Sequence, residues 1–436
     1  MMKLAIVSAL TLIPLWPAAA ADPGITTRDK LWIASKIYAS IESRFGHWQA
    51  IPGFDLDKAY QAYLDQIAAT DSRRDFDLAT LAFVAQLRNA HSTFSDRWLG
   101  ATSQLPGFYL WFEGGQWVVQ RSGRPGIEPG EVVVAIDGKP TGDFVAERMK
   151  YMAASSDRGR RTQVFFFSPL WPQQFEVTLA GGRRVPIDRS IEPVASGSSR
   201  IWVFAPRGRA PDDVAYLPIP TFNDPRQEQN AVAFLKAHKD APAVIVDLRG
   251  NGGGSTPEEL IRAIMDRPWP GWIESTSVLF PLFRTYGERF SPKNAATNPR
   301  GEGYLEAFAE YFGHPYMMAP EPMHSPENPV FTGRVILIAD LTCGSACEDF
   351  VMPLKYSGRA TVVGETTSGS SGQPYIYDFG NGMTFRVGTK RMYFPDGSEF
   401  EGVGIRPDIE VVPAPADIKA GRDPVLERAV ALARAR

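Results

Sequence analysis

The sequence predicts an α/β protein: a mostly parallel sheet with covering helices, preceded by a helical bundle and interrupted by a β-rich insert. Three observations carry this. From residue 215 onward, short apolar runs rich in Val and Ile alternate with stretches of helical periodicity, as in successive βαβ units. Between residues 27 and 95, apolar side chains recur instead at helical spacing. Between residues 105 and 193, short alternating segments are broken by glycine turns.

The chain has 436 residues, 44% of them hydrophobic and 22% charged, with a formal charge of −3. Such a composition builds an ordinary globular core, and so small a charge offers nothing to nucleic acid or an anionic membrane. The first residues differ. Met1-Met-Lys3, an apolar core over residues 4–16 and the small-residue stretch Pro17-Ala-Ala-Ala-Ala21 have the layout of a secretory signal peptide, giving an exported chain that starts at about residue 22. No later run is apolar and long enough to span a membrane once this leader is cut. The only two cysteines, Cys343 and Cys347, form neither a disulfide framework nor a metal set, though an oxidising compartment would allow a local pair. No cofactor is expected.

Leu31, Ile33, Ile37, Ile41 and Phe45 begin the helical segment (22–100), and two further stripes follow at 56–67 and 78–87. The third ends in Leu87-Arg-Asn-Ala-His91, where a histidine is ordinarily a surface or capping residue and less often a base. In the insert (105–193), 108–112 and 116–120 form a hairpin around Glu113-Gly-Gly115. A strand ending in Ile136-Asp-Gly138, a helix near 144–152 and strands at 163–167 and 174–179 follow. This order resembles a PDZ domain, which takes an extended peptide end as an added strand. The alternative is an unspecialised β-rich insert.

In the third region (200–436), strands are expected at 215–222 and 243–247 and a helix at 228–238. The second strand feeds the turn Asp247-Leu-Arg-Gly-Asn-Gly-Gly-Gly254, with Thr256 as cap, Pro257 at the first position and Glu259 closing a capping box. A phosphate loop is the rival for this turn, but neither nucleotide-binding glycine pattern is present. Residues 268–328 are aromatic and proline-rich, either bordering a site or covering the core. A buried strand at 335–339 then leads through a turn into Ser345-Ala-Cys-Glu348, a capping-box spacing that opens a helix, followed by a strand at 360–363. Ser345 is either an N-cap or a nucleophile at the carboxyl end of the sheet, where free N–H groups stabilise an oxyanion. Strands at 384–389 and 391–394 and a helix at 424–435 complete the chain.

In order, Asp247-Leu-Arg-Gly-Asn-Gly-Gly-Gly254, Ser345-Ala-Cys-Glu348, Gly364-Glu-Thr-Thr367 and Gly402-Val-Gly-Ile-Arg-Pro-Asp408 resemble the signatures of the tail-specific, or C-terminal-processing, serine peptidases. The resemblance extends over nearly the whole mature chain and implies a serine endopeptidase acting on protein or peptide ends. One branch of that family pairs its serine with a lysine, but Ser370 stands at the lysine's position, and Lys355 lies too far along the serine's own helix. The branch similar to the tricorn core implies a triad of Ser345, His91 and Glu401, with Glu399 and Glu365 as rivals for the acid. That branch can carry a serine before its histidine, where this chain has Ala90. The expected oxyanion hole is the N–H of Gly252 or Gly253 together with that of Ala346. The competing function is a non-catalytic peptide- or lipid-binding protein on the same fold.

Overall fold

The structure, a computed structural model, describes residues 22–101, 104–191, 208–276, 317–320 and 323–435. The leader and most of the aromatic stretch 268–328 lie outside the described residues. Five parallel strands form the central sheet in the order Ile409–Glu410, Ala360–Gly364, Arg334–Ala339, Ala243–Asp247, Ala215–Pro218. Because strand side chains alternate between faces, Val244, Val246, Val335, Leu337 and Val362 enter one core and Ile245, Ile336, Ile338 and Val363 the other. The first core is closed by the helices Pro225–Ala237, Glu258–Ile264 and Ala346–Tyr356, the second by the terminal helix Pro424–Arg434. The carboxyl ends of three neighbouring strands thus deliver the turns after Asp247, Ala339 and Gly364 to one edge, where ligand sites of such sheets form.

Two expected features differ. The first strand stops at Pro218, since Pro218 and Pro220 cannot donate to the ladder, and Phe222 only bridges Gly254. Thr256 does not cap the next helix: its hydroxyl donates to Asp349, and Glu228 accepts the N–H groups of Glu259 and Leu260 instead. Arg249, within the glycine-rich motif, forks between Asp247 and Asp423, tying that turn to the terminal helix. The motif's charged residues are therefore structural.

The helices Thr27–Arg44, Leu56–Ala68 and Arg73–Ala85 are capped by Thr26, Asp55 and Ser72. Their core does not close by itself. The antiparallel strands Thr93–Asp96, Met383–Gly388 and Pro374–Asp378 cover it with Phe379, Met383, Phe385 and Val387. The third region thus lends a hairpin to the first, and the two meet where His91 lies. In the insert, the hairpin Phe108–Glu113/Gln116–Ser122 packs with an antiparallel sheet ordered Lys139–Pro140, Val133–Ile136, Gln174–Leu179, Arg184–Asp188. The stretch 163–167 is not a strand: the helix Asp157–Gln163, capped by Ser156, runs into the 3₁₀ turn Val164–Phe166. Short apolar runs fit either element by pattern alone.

Asp77 is buried in the third helix beside Asp96, which Arg73 already holds in a bidentate pair. Burial, and then Asp96, push the Asp77 carboxyl up to about 9. The folded state therefore keeps a proton that the unfolded chain releases near its ordinary pKa, so stability falls as pH rises towards about 9. Asp77→Asn, whose amide can donate to Asp96 without ionising, should melt above the wild type by a margin that grows from pH 4 to pH 9. Parallel melting curves across that range would refute the assignment.

Candidate active site

Ser345 sits between the strand Arg334–Ala339 and the helix Ala346–Tyr356 with φ +55°, a left-handed conformation that side-chain-bearing residues rarely adopt. Its N–H donates to the Ser370 carbonyl (2.8 Å) and to the Glu348 carboxylate (3.2 Å). The sharp turn turns the hydroxyl toward His91, whose Nε2 lies 3.2 Å from Ser345 Oγ. His91 is only 8% exposed, and its backbone N–H donates to Asn89 Oδ1. Burial, and then Arg386, push its imidazole down to about 4. At neutral pH the ring is uncharged and able to accept the serine proton.

The other ring nitrogen, Nδ1, meets Ser370 Oγ at 3.1 Å. Glu401, expected against the imidazole, makes no hydrogen bond to it. Its carboxylate lies one layer behind, accepting from Asn89 Nδ2 (3.0 Å), Ser155 Oγ (2.5 Å) and the Ser371 N–H (3.2 Å). Asn89 Oδ1 in turn accepts from the His91 N–H and the Ser92 hydroxyl, so Glu401 braces the histidine's turn rather than its ring. Burial pushes Glu401 up to about 7. His47 is fully buried 4.0 Å from Glu401, and burial pushes it well down. The rivals lie elsewhere: Glu399 pairs with Arg391, and Glu365 faces Arg158 at 3.7 Å. Lys355 pairs with Asp408, away from the serine.

The expected oxyanion donors divide. Ala346 and Gly252 keep N–H groups without a protein acceptor among the described residues, whereas the Gly253 N–H is already bonded to Asn251 Oδ1 at 2.9 Å. Gly253 serves by its lack of a side chain: at φ +97°, a Cβ there would lie 2.8 Å from Ser345 Cβ and 3.0 Å from Ala346 N.

Glu348 was visible in sequence only as a helix cap. It is fully buried and accepts from Thr367 Oγ1 (2.5 Å), Gly369 N–H (2.7 Å), Ser370 N–H (3.0 Å) and Ser345 N–H. It therefore holds both the backbone of Ser345 and that of the residue on His91 Nδ1. Burial pushes it up to about 8. Ser370 had one signal, its place at the lysine position of the other branch. Cys343 and Cys347 form a disulfide across Ser345, clamping the turn to the first turn of the helix.

Since His91 is held near 4, neutral imidazole persists well below the ordinary histidine value of about 6.5. Reactivity of Ser345 should thus survive acidification through pH 6 and fade only towards about 4. Nitrogen NMR of the His91 ring, showing a neutral tautomer at pH 5.5, would bear this out, and titration at 6.5 or above would contradict it. Ser370→Ala should slow labelling of Ser345 by a fluorophosphonate by about 10–100-fold, the scale on which loss of an orienting partner weakens a metal-bound histidine.

Residues 213–411 match the model of peptidase family S41. A tricorn protease homolog of Streptomyces coelicolor is 26% identical over 417 residues, which cover 88% of this chain and 30% of its own. The chloroplastic C-terminal processing peptidase of Tetradesmus obliquus is 22% identical over 302 residues, 68% of this chain and 56% of its own. The chain therefore spans roughly a third to a half of the length of these curated relatives. Among solved structures, mature CPAF shares the fold with a TM-score of 0.69 over 92% of this chain and 96% of its own, at 16% identity. The matched residues take in Ser345 and the α/β core that carries it.

Proposed function

We propose that the chain is an exported serine endopeptidase that hydrolyses peptide bonds through an acyl-enzyme on Ser345. The observation that carries the reading is the 3.2 Å approach of Ser345 Oγ to the buried, neutral His91 Nε2 on a strained strand–helix turn. With Nδ1 protonated and donating to Ser370 Oγ, Nε2 is free to take the hydroxyl proton as Oγ attacks the scissile carbonyl. The carbonyl oxygen becomes an anion, which the N–H groups of Ala346, at a helix N-terminus, and Gly252 receive. The intermediate collapses as His91 passes the proton to the leaving amine. Water, deprotonated by the same ring, then attacks the ester and frees Ser345.

Export rests on the leader-like residues 1–21 and on the Cys343–Cys347 disulfide, which persists in oxidising compartments. Among the described residues, no helix is long and apolar enough to cross a membrane. Capture of substrate C-terminal ends rests on the PDZ-like order of elements in the insert. That insert is bonded to the site through Ser155, so the preference is best tested on the intact chain, with peptides whose ends are free or amidated. Cleavage of the amidated peptide as fast as the free one would rule out end capture.

Ser345→Ala and His91→Ala should each lower kcat on an unfolded protein substrate by roughly 10⁴-fold or more, and the double variant by little more than either. Multiplicative losses, or an active His91→Ala protein, would mean that the proton goes elsewhere.

A further inference from the structure

A cavity of about 250 Å³ lies beside the turns that carry Ser345 and His91, where the three regions of the chain meet. One wall is the third helix, with Leu81 and Val84, continued by Phe94 after the histidine's turn. The opposite wall is the arm 151–167 of the insert, with Tyr151, Met152, Phe166 and Phe167. The third side belongs to the reacting turns themselves: Leu341 and Thr342 before Ser345, Ser368 beside Gly344, and Ala90 next to His91. Among the described residues no carboxylate, guanidinium, ammonium or imidazole lines it, and its polar lining is uncharged, from Thr93, Ser156, Thr162, Gln163 and Thr342 among others.

We propose that this cavity receives the side chain of the substrate residue whose carbonyl Ser345 attacks, and that this side chain is aromatic or long aliphatic. The proposal rests on the peptidase reading above. Size favours it, since an engineered apolar cavity of about 150 Å³ already holds benzene. Chemistry favours it too: a charged side chain would be buried there with no ionic partner, whereas an apolar one gains the free energy of leaving water. Position makes it a subsite rather than an incidental void, because the turns that hold both reacting side chains contribute to its wall.

The insert's arm is fixed for this role. Ser155 Oγ accepts the Ala90 N–H at 3.1 Å and donates to Glu401, while Arg158 donates to the Thr366 carbonyl at 2.5 Å. The insert would then help to choose the residue at the cut, in addition to any capture of a peptide end.

The test uses the full chain and peptides that differ only in the residue on the acyl side of the cut: Phe, Leu, Ala or Asp. Wild-type kcat/KM should be higher for Phe and Leu than for Asp by about 100-fold. Ala153→Phe, which fills the cavity, should cost the Phe peptide about ten-fold or more and leave the Ala peptide unchanged. Phe167→Ala, which enlarges it, should shift the preference towards larger side chains. Both variants should react with a small fluorophosphonate at the wild-type rate, which reports the nucleophile independently of the cavity. Equal cleavage at Asp and Phe by the wild type, or unchanged ratios in both variants at normal fluorophosphonate reactivity, would overturn the subsite alone. A wild type inert to both peptides and fluorophosphonate would overturn the peptidase reading and the subsite with it.

Discussion

Ser345 can keep φ +55° only because the surrounding structure over-determines it, since a left-handed conformation costs a residue with a side chain of order 1–3 kcal/mol. The fully buried carboxylate of Glu348 supplies much of that constraint. It binds the Ser345 N–H on one side and the N–H groups of Gly369 and Ser370 on the other, with Thr367 Oγ1 between them. Two turns from neighbouring parallel strands are thus fixed on one side chain. The line Ser345 Oγ, His91, Ser370 Oγ depends on that distance being constant. Close approach by Gly253 and the Cys343–Cys347 bond hold the same turn from its other sides.

The histidine comes from a different part of the chain, and its placement needs the fold to be complete. His91 follows the third N-terminal helix, whose core is finished only by the hairpin Pro374–Gly388 from the third region. Behind it, Glu401, Asn89 and Ser155 join the C-terminal segment, the helical region and the insert in one buried polar cluster. Burial raises the carboxylate and lowers both histidines, so the cluster holds little net charge near neutrality. A dry site in which the base is neutral suits proton transfer from a serine hydroxyl.

Much of this was legible in the sequence. The alternation of strands and helices from residue 215 follows the observed parallel sheet, because strands buried on both faces leave continuous apolar runs such as Val335–Ala339. Ser345 and His91 were identified by motif, and the structure brings them together. Three features were not legible, each because it depends on distant contacts. The acid expected on His91 Nδ1 is a layer away, and the group that takes its place, Ser370, showed in sequence only as a missing lysine. Gly253 looked like an oxyanion donor until Asn251 claimed its N–H. Glu348 looked like a helix cap, and only burial against the 367–370 turn gives it a wider role.

In the proposed mechanism this arrangement makes Ser345 the nucleophile. The most direct measurement is the position of the covalent adduct formed with a fluorophosphonate at neutral pH, mapped by peptide mass spectrometry. A single modified serine, Ser345, is expected, its labelling lost in His91→Ala while the fold is retained. Labelling at another residue, or undiminished labelling of Ser345 without His91, would contradict it.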